Sequence, residues 1–518
     1  MLFSSSHASP RYSNLNGSSD ALALAQLALQ KSPLVVIAAN ALEAQRLREE
    51  IPFFAPTLRV HLLPDWETLP YDNFSPHQDL ISERLATLHH IRSQNCDIVI
   101  VPIITALYPL PPVEHLAAYT FFLKRKEKLN IAQLREQLAI AGYNHVQQVL
   151  TPGEYCVRGG IIDLFAMGSV LPYRIDLFDD EIETIATFDV DTQRTLYPVP
   201  EIRLLPAREF PLDEKGQATF RQNFRERFEG DPARSRIYKD VSKGIAPSGI
   251  EYYLPLFFEK TATLFDYLPK HATLCLHHNV DEAIAQFGKD AASRYNLLRG
   301  DPQRPLLETK ELFLDAEQFF IRVKEFARLD IVPSPQPSPT SGRGSQSSPR
   351  PSGEGLGVRE EAKNITRCST AALPNIAVDR RAENPLNTFQ SFLKGYSGRV
   401  LLLADSLGRR EIMSGYLQEY GIKPVLCENY AAFLASSEKF MLATALVQNG
   451  FALSDTHLAI VTESELYAAQ ARSRSVRAAK KSNIENMLRD LSELKVGDPV
   501  VHEQHGIARY QGLVNLDL

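Results

Sequence analysis

Along Tyr173 to Ile185 the sequence reads YRIDLFDDEIETI. Side chains alternate along an extended strand, which would place Arg174, Asp176, Phe178 and Asp180 on one face and Tyr173, Ile175 and Leu177 on the other. One face suits a core; the other mixes a guanidinium, carboxylates and a phenyl ring. That is a chemistry of recognition, because arginine beside an aromatic ring is the usual make-up of the few residues that dominate a protein interface. Arg158, in YCVRGG, begins the preceding strand and joins the candidate face. A blander arrangement uses the same residues: Arg174 paired with Asp176 or Asp180 on a solvated face, and Phe178 turned into a core. Both arrangements fit the sequence.

Bond-making chemistry has weaker signals. A phosphate cradle needs GxxxxGK[ST]; the nearest fragment, Gly288-Lys289-Asp290, lacks both the upstream glycine and the hydroxyl that would hold magnesium. Where such a loop would precede the first helix the chain reads NGSSDALALAQLALQ (Asn16 to Gln30), with Gly17 and two serines but no lysine. Ser18 and Ser19 are expected to cap the helix from Ala21 to Gln30. The pairs His89-His90 and His277-His278 lack partners at ligand spacing, and adjacent side chains on one element point apart, so they are expected on the surface with no metal bound. No GxSxG, HExxH or paired-carboxylate signature occurs. Five cysteines, Cys96, Cys156, Cys275, Cys368 and Cys427, form no CxxC pair and are expected to be buried thiols. A net charge of -6 argues against a basic nucleic-acid binder overall and confines any DNA contact to a local patch.

The elements that position these residues follow from periodicity. At 518 residues the chain is too long for one core. LVVIAA from Leu34 and DIVIVPI from Asp97 are buried-strand runs, each next to a helical pattern, and predict a largely parallel sheet covered by helices. IAQLREQLAIAGY (Ile131 to Tyr143) predicts a short helix ending near Gly142, before strands of period two. GIEYYLPLFF is dense in aromatic residues and is expected to be buried. The Pro/Ser/Gly tract between Ile331 and Gly357 has little to bury and is expected to be a disordered linker. GRVLLLADS, KPVLC and LAIVTESELY belong to a second α/β domain, followed by the basic connector ARSRSVRAAKK. No apolar run approaches the roughly 20 residues that span a bilayer, and the expected location is the cytoplasm.

DWETLPYDNFSPHQDLISERL (Asp65 to Leu85), GEYCVRGGIIDLF, YRIDLFDDEIETIATFDVDTQRT, IRLLPAREFP and SKGIAPSGIEYYLPLFF closely resemble, in this order, the N-terminal module of bacterial transcription-repair coupling factors and, more distantly, the excision-repair protein UvrB. VGDPVVHEQHGIARYQG is similar to the start of that family's RNA-polymerase-interacting domain. The resemblance implies a multidomain α/β fold. A UvrB-like domain (10–119 and 207–330) would carry an inserted small α+β domain (120–206). A linker (331–368), a second α/β domain (369–467), a basic connector (468–490) and the start of a Tudor-like β-barrel (491–518) would follow.

The resemblance also implies a role. In the family the inserted domain recruits UvrA, and its contacting residues fall on Arg158, Arg174 and Phe178 of this chain. The Tudor-like domain engages the RNA polymerase β subunit; Glu503 stands where an apolar residue is expected, which weakens that expectation. The family's ATP- and magnesium-dependent motor on double-stranded DNA is expected to lie beyond this chain, which is expected to need no cofactor itself. An incomplete barrel after about Lys495 is expected to be at most partly folded. The alternatives are a UvrB-like helicase, which the missing phosphate loop opposes, and a nonfunctional remnant.

Overall fold

LVVIA at Leu34–Ala38 has no polar position, and a strand of that kind must be covered on both faces. A computed structural model describes residues 10–333, 365–379 and 381–467, with the backbone of 499–502 and 506–509. In it this strand lies near the middle of a seven-stranded sheet ordered Ile365–Arg367, Arg11–Ser13, Ala327–Ile331, Thr273–His277, Leu34–Ala38, Ile98–Pro102 and Val60–Leu62. Every neighbouring pair is parallel. Strands from both sides of the 120–206 segment therefore share one sheet, with Thr273–His277 directly beside Leu34–Ala38.

The outermost strand corrects the expected linker. Ile365–Arg367 runs parallel to Arg11–Ser13, and the Asn14 amide donates to the carbonyls of Cys368 and Thr370. The open edge beside Arg11–Ser13 offers backbone groups to pair, and ITR carries two β-branched residues that suit it. Residues 334–364, which hold most of the Pro/Ser/Gly tract, lie outside the described residues.

The alanine-rich helix Ser19–Ala28 is buried nearly all round, as a helix apolar on every side must be. One side meets the parallel sheet and the other meets the second α/β domain. The sheet of that domain runs Thr370–Ala371, Phe451–Leu453, Leu458–Thr462, Arg399–Ala404, Phe440–Thr444 and Val425–Leu426, with its last four strands parallel. Leu24, Leu47 and Ile51 of the first domain share one apolar cluster with Leu401, Phe433 and Phe451. Phe54 meets the Tyr430 ring edge-on at 5.2 Å. The two α/β sheets thus enclose one common layer of helices.

Several residues of the segments that carry the family resemblance lie in the core. Trp66 stacks on Tyr108 at 4.6 Å and donates to Glu209, which also receives Arg84 Nε at 2.8 Å; all four are buried. GIEYYLPLFF is buried, as expected, and forms a 3-10 helix over Ile250–Phe257. All five cysteines are buried and free. Pro499–His502 and Gly506–Arg509 pair antiparallel, while Glu503 lies outside the described residues. Among the described residues, no helix is long and apolar enough to cross a membrane.

Candidate docking face

The inserted domain hangs from a two-stranded ribbon in which its entry strand, Phe121–Lys124, pairs antiparallel with its exit strand, Glu201–Leu204. Beyond it a six-stranded sheet runs Thr195–Pro198, Glu181–Phe188, Tyr173–Phe178, Ile161–Leu164, Glu154–Arg158 and Asn144–His145. Helix Ile131–Ile140 buries Leu134 and Leu138, and Gly142 leaves it at φ +88°, a conformation glycine adopts without strain. Ile162, Leu164, Ile175, Ile182 and Ile185 point into the core with them.

The stretch read as one strand from Tyr173 to Ile185 folds back on itself. Asp179 takes φ +57° and the chain reverses as a hairpin, a turn that aspartate tolerates. Asp180 therefore leaves the strand face and pairs with Lys128 at 2.9 Å.

Register builds the outer face. Arg158 lies opposite Ile161, Ile161 opposite Asp176, and Asp163 opposite Arg174. The Asp163 carboxylate is only 2% exposed and receives two arginines. Arg174 donates to it through Nε at 2.7 Å and Nη2 at 3.0 Å, and Arg158 donates through Nη2. The third corner of the Arg174 guanidinium, Nη1, donates to the Gln193 carbonyl at 3.1 Å. The same guanidinium lies 4.8 Å from the ring centre of Phe188, a member of a small apolar cluster with Val149, Cys156 and Phe165. Hydrogen bonding to Asp163 raises the Arg174 guanidinium above its ordinary value, so its charge is secure.

The blander arrangement is thereby corrected on both counts. Arg174 pairs with Asp163, while Asp176 accepts from the Thr184 hydroxyl at 2.8 Å. Phe178 is no core ring: it is 74% exposed at the strand's end, where the reversal at Asp179 leaves nothing to cover it. Arg158 and Arg174 are brought together, with side chains 54% and 18% exposed, and Phe178 projects from the same face. Sequence reasoning missed Asp163. An acid standing alone in the apolar run IIDLF was the available signal.

A second charged cluster lies beneath the second α/β domain, where a phosphate loop would precede the first helix. Asp20 is buried and receives Arg46 Nη1 at 3.0 Å, Arg46 Nη2 at 2.5 Å and His277 Nε2 at 2.8 Å. Burial pushes the Asp20 carboxyl up, but Arg46 and His277 outweigh it and hold it well below the usual carboxylate range. The expected surface position of His277 is thus wrong, because its strand is the covered centre of the sheet and Asp20 offers it a partner. His278 is half-buried, and burial pushes it down to about 4. One ligand atom each from Asp20, His277 and His278 lies within 4.8 Å of the others. The donor set does not fit a metal, because Arg46 occupies both Asp20 oxygens and would press a cation against a guanidinium.

Ser18, expected to cap the first helix, makes no such bond. Its hydroxyl donates to Glu50 at 2.8 Å, its backbone N–H donates to the Asn449 carbonyl at 3.0 Å, and Gln448 N–H donates to Glu50 at 2.9 Å. Ser18 is instead held between the Glu50 carboxylate of its own domain and the Asn449 backbone of the second α/β domain.

Three family models match in order along the chain: "UvrB interaction domain" over residues 121–210, "MFD, D3 domain" over 392–466 and "CarD-like/TRCF RID domain" over 494–518. The transcription-repair-coupling factor of Haemophilus influenzae is 39% identical over 508 residues, covering 97% of this chain and 42% of the relative. That of Escherichia coli K12 is 36% identical over 505 residues, with the same coverage. That of Bacillus subtilis is 26% identical over 537 residues, again over 97% of this chain and 42% of the relative. The chain thus spans about two-fifths of the length of the curated relatives it matches. Three domain matches in order, and relatives aligned along nearly the whole chain, show that it is similar to the N-terminal portion of transcription-repair coupling factors.

Proposed function

We propose that this chain is the docking portion of a factor for transcription-coupled nucleotide excision repair, acting in the bacterial cytoplasm and recruiting UvrA through Arg158, Arg174 and Phe178. The observation that carries this reading is the exposed Phe178 ring on one sheet face with two arginines that a buried carboxylate holds in place. A ring free to enter a pocket, beside a guanidinium with unused donors, is a surface made to be covered.

Contact with the RNA polymerase β subunit belongs to the same reading and is supported by the family model over 494–518. Translocation on double-stranded DNA, with its ATP and magnesium, is assigned to the part of the relatives that this chain does not match. This portion itself needs no nucleotide. The Asn449 carbonyl meets the start of the first helix, and the Asp20 and Glu50 carboxylates stand close by, where a phosphate would need cations and free N–H groups.

The test is a titration of UvrA against the full chain, against its Arg158→Ala, Arg174→Ala, Phe178→Ala triple variant and against the Arg158→Ala and Phe178→Ala single variants, beside thermal melts of each. Loss of binding is expected, with the melt retained in the Phe178→Ala and Arg158→Ala single variants and lowered in the triple variant, where Asp163 is left buried without a cation. Unchanged affinity in a folded triple variant ends the assignment of this face.

A further inference from the structure

The two arginines of the docking face are not equivalent, and the carboxylate between them explains why. Of the five N–H donors on Arg174, two are committed to Asp163 and one to the Gln193 carbonyl, while its flat face lies against Phe188. Arg158 commits a single Nη2 donor to Asp163 and leaves the rest of its fork toward solvent. Asp163 itself is buried to 2% exposure and cannot touch a macromolecule approaching from outside. It also spans strands: Arg158 ends one neighbour, and Arg174 lies directly across from Asp163 on the other.

We infer that Asp163 is a positioning residue for docking: it locks Arg174 as a buttress and draws Arg158 over it, so that the free side of the Arg158 fork is aimed at a carboxylate of the partner. This inference rests on the proposal that this face binds UvrA. A lone arginine at a strand end, beside two glycines, would sample many rotamers, and ordering it on binding would weaken the complex. Asp163 orders it beforehand. Asp176 stands on the same face beside Arg174, so the two guanidiniums meet two carboxylates; what Asp163 leaves outward is the unused side of the Arg158 fork, a directed donor for a partner carboxylate. Lysine could not replace Arg174, because a single ammonium cannot grip Asp163 with two donors in one plane and reach Gln193 with a third.

The experiment uses the full chain with Asp163→Asn, which keeps the size of the side chain and removes its charge. Two readouts separate this inference from the docking proposal. The first needs no partner: modification of individual arginines by phenylglyoxal, followed by peptide mass. Asp163→Asn is expected to raise the rates at Arg158 and Arg174 severalfold over those of exposed arginines elsewhere in the same chain. Unchanged rates overturn the positioning role whether or not UvrA binds.

The second is a cycle of UvrA titrations. Asp163→Asn is expected to weaken binding about tenfold, an ordinary coupling between neighbouring charged groups. It should weaken binding no further once Arg158 and Arg174 are both alanine. An affinity within twofold of the unaltered chain, or an equal loss in the arginine-free background, overturns the inference. Failure of the unaltered chain to bind UvrA at all overturns the docking proposal instead, with the modification rates still deciding what Asp163 holds.

Discussion

Asp20 and Asp163 are both aspartates almost wholly removed from water, and both are gripped by arginine, yet they sit in opposite kinds of site. Around Asp20 the carboxylates outnumber the guanidiniums: Glu43 and Glu50 share the single Arg46, and His277 completes the shell beneath another domain. Asp163 is gripped by two guanidiniums, and one of them faces solvent. The first arrangement satisfies itself and is closed by the Gln448–Asn449 backbone. The second holds unused donors outward. One ion-pair motif therefore welds domains together in one place and prepares a surface in the other, and the donors left unused together with the cover above them decide which.

The largest effect should come from the closed cluster. Arg46→Met removes the cation that Asp20, Glu43 and Glu50 share and leaves buried carboxylates uncompensated, a loss of about 3–5 kcal/mol in folding stability. Denaturant unfolding would measure it. A loss below about 1 kcal/mol would mean that water reaches the cluster and that the contrast with Asp163 is false.

A third buried carboxylate, Glu251, supplies the scale for burial without a gripping guanidinium. It accepts from the Ser75 hydroxyl at 2.8 Å, and burial pushes it up from 4.5 to about 7. The folded state then binds this proton more tightly than the unfolded chain does. The group's contribution to stability is therefore fully present below about pH 4.5 and lost as pH rises through about 7. Asp20, held low, behaves in the opposite sense and loses its contribution only in acid. Glu251→Gln should raise stability at pH 8 by roughly 2–3 kcal/mol and flatten the profile between pH 5 and 8. Melts across that range that superimpose on those of the unaltered chain would remove Glu251 as a reference.

The open cluster should show the reverse balance of stability and binding. Phe178→Ala is expected to weaken UvrA binding by about 2 kcal/mol, roughly thirtyfold, while changing folding stability by less than about 0.5 kcal/mol. Arg158→Ala should likewise leave the melt within about 0.5 kcal/mol, because its side chain is half-exposed. Titration beside thermal melts reads both. A melt lowered by several kcal/mol in either variant would show that this face is structural, like the Asp20 cluster.

Much of this was legible from local pattern. The apolar runs at Leu34 and Asp97, the helix from Ile131 ending at Gly142 and the alternation of Arg174 and Phe178 against Ile175 and Leu177 each depend on neighbours a few residues apart, and a sequence displays those neighbours directly. The hairpin at Asp179 was missed because two aspartates continue a polar and apolar alternation as readily as they turn it; only the pairing of Glu181 with Phe178 separates the two.

Composition and order by themselves determined the α/β class, the lack of a phosphate loop and a candidate face made of Arg158, Arg174 and Phe178. Only the tertiary structure decided which partner each charge takes. Asp20 meets His277 across 257 positions, Ser18 meets Asn449 across 431, and Asp163 meets Arg174 because two strands pair in one register rather than the next. Hydrogen-bond geometry and removal from water set the worth of those contacts, and both are properties of positions in space that sequence separation does not encode.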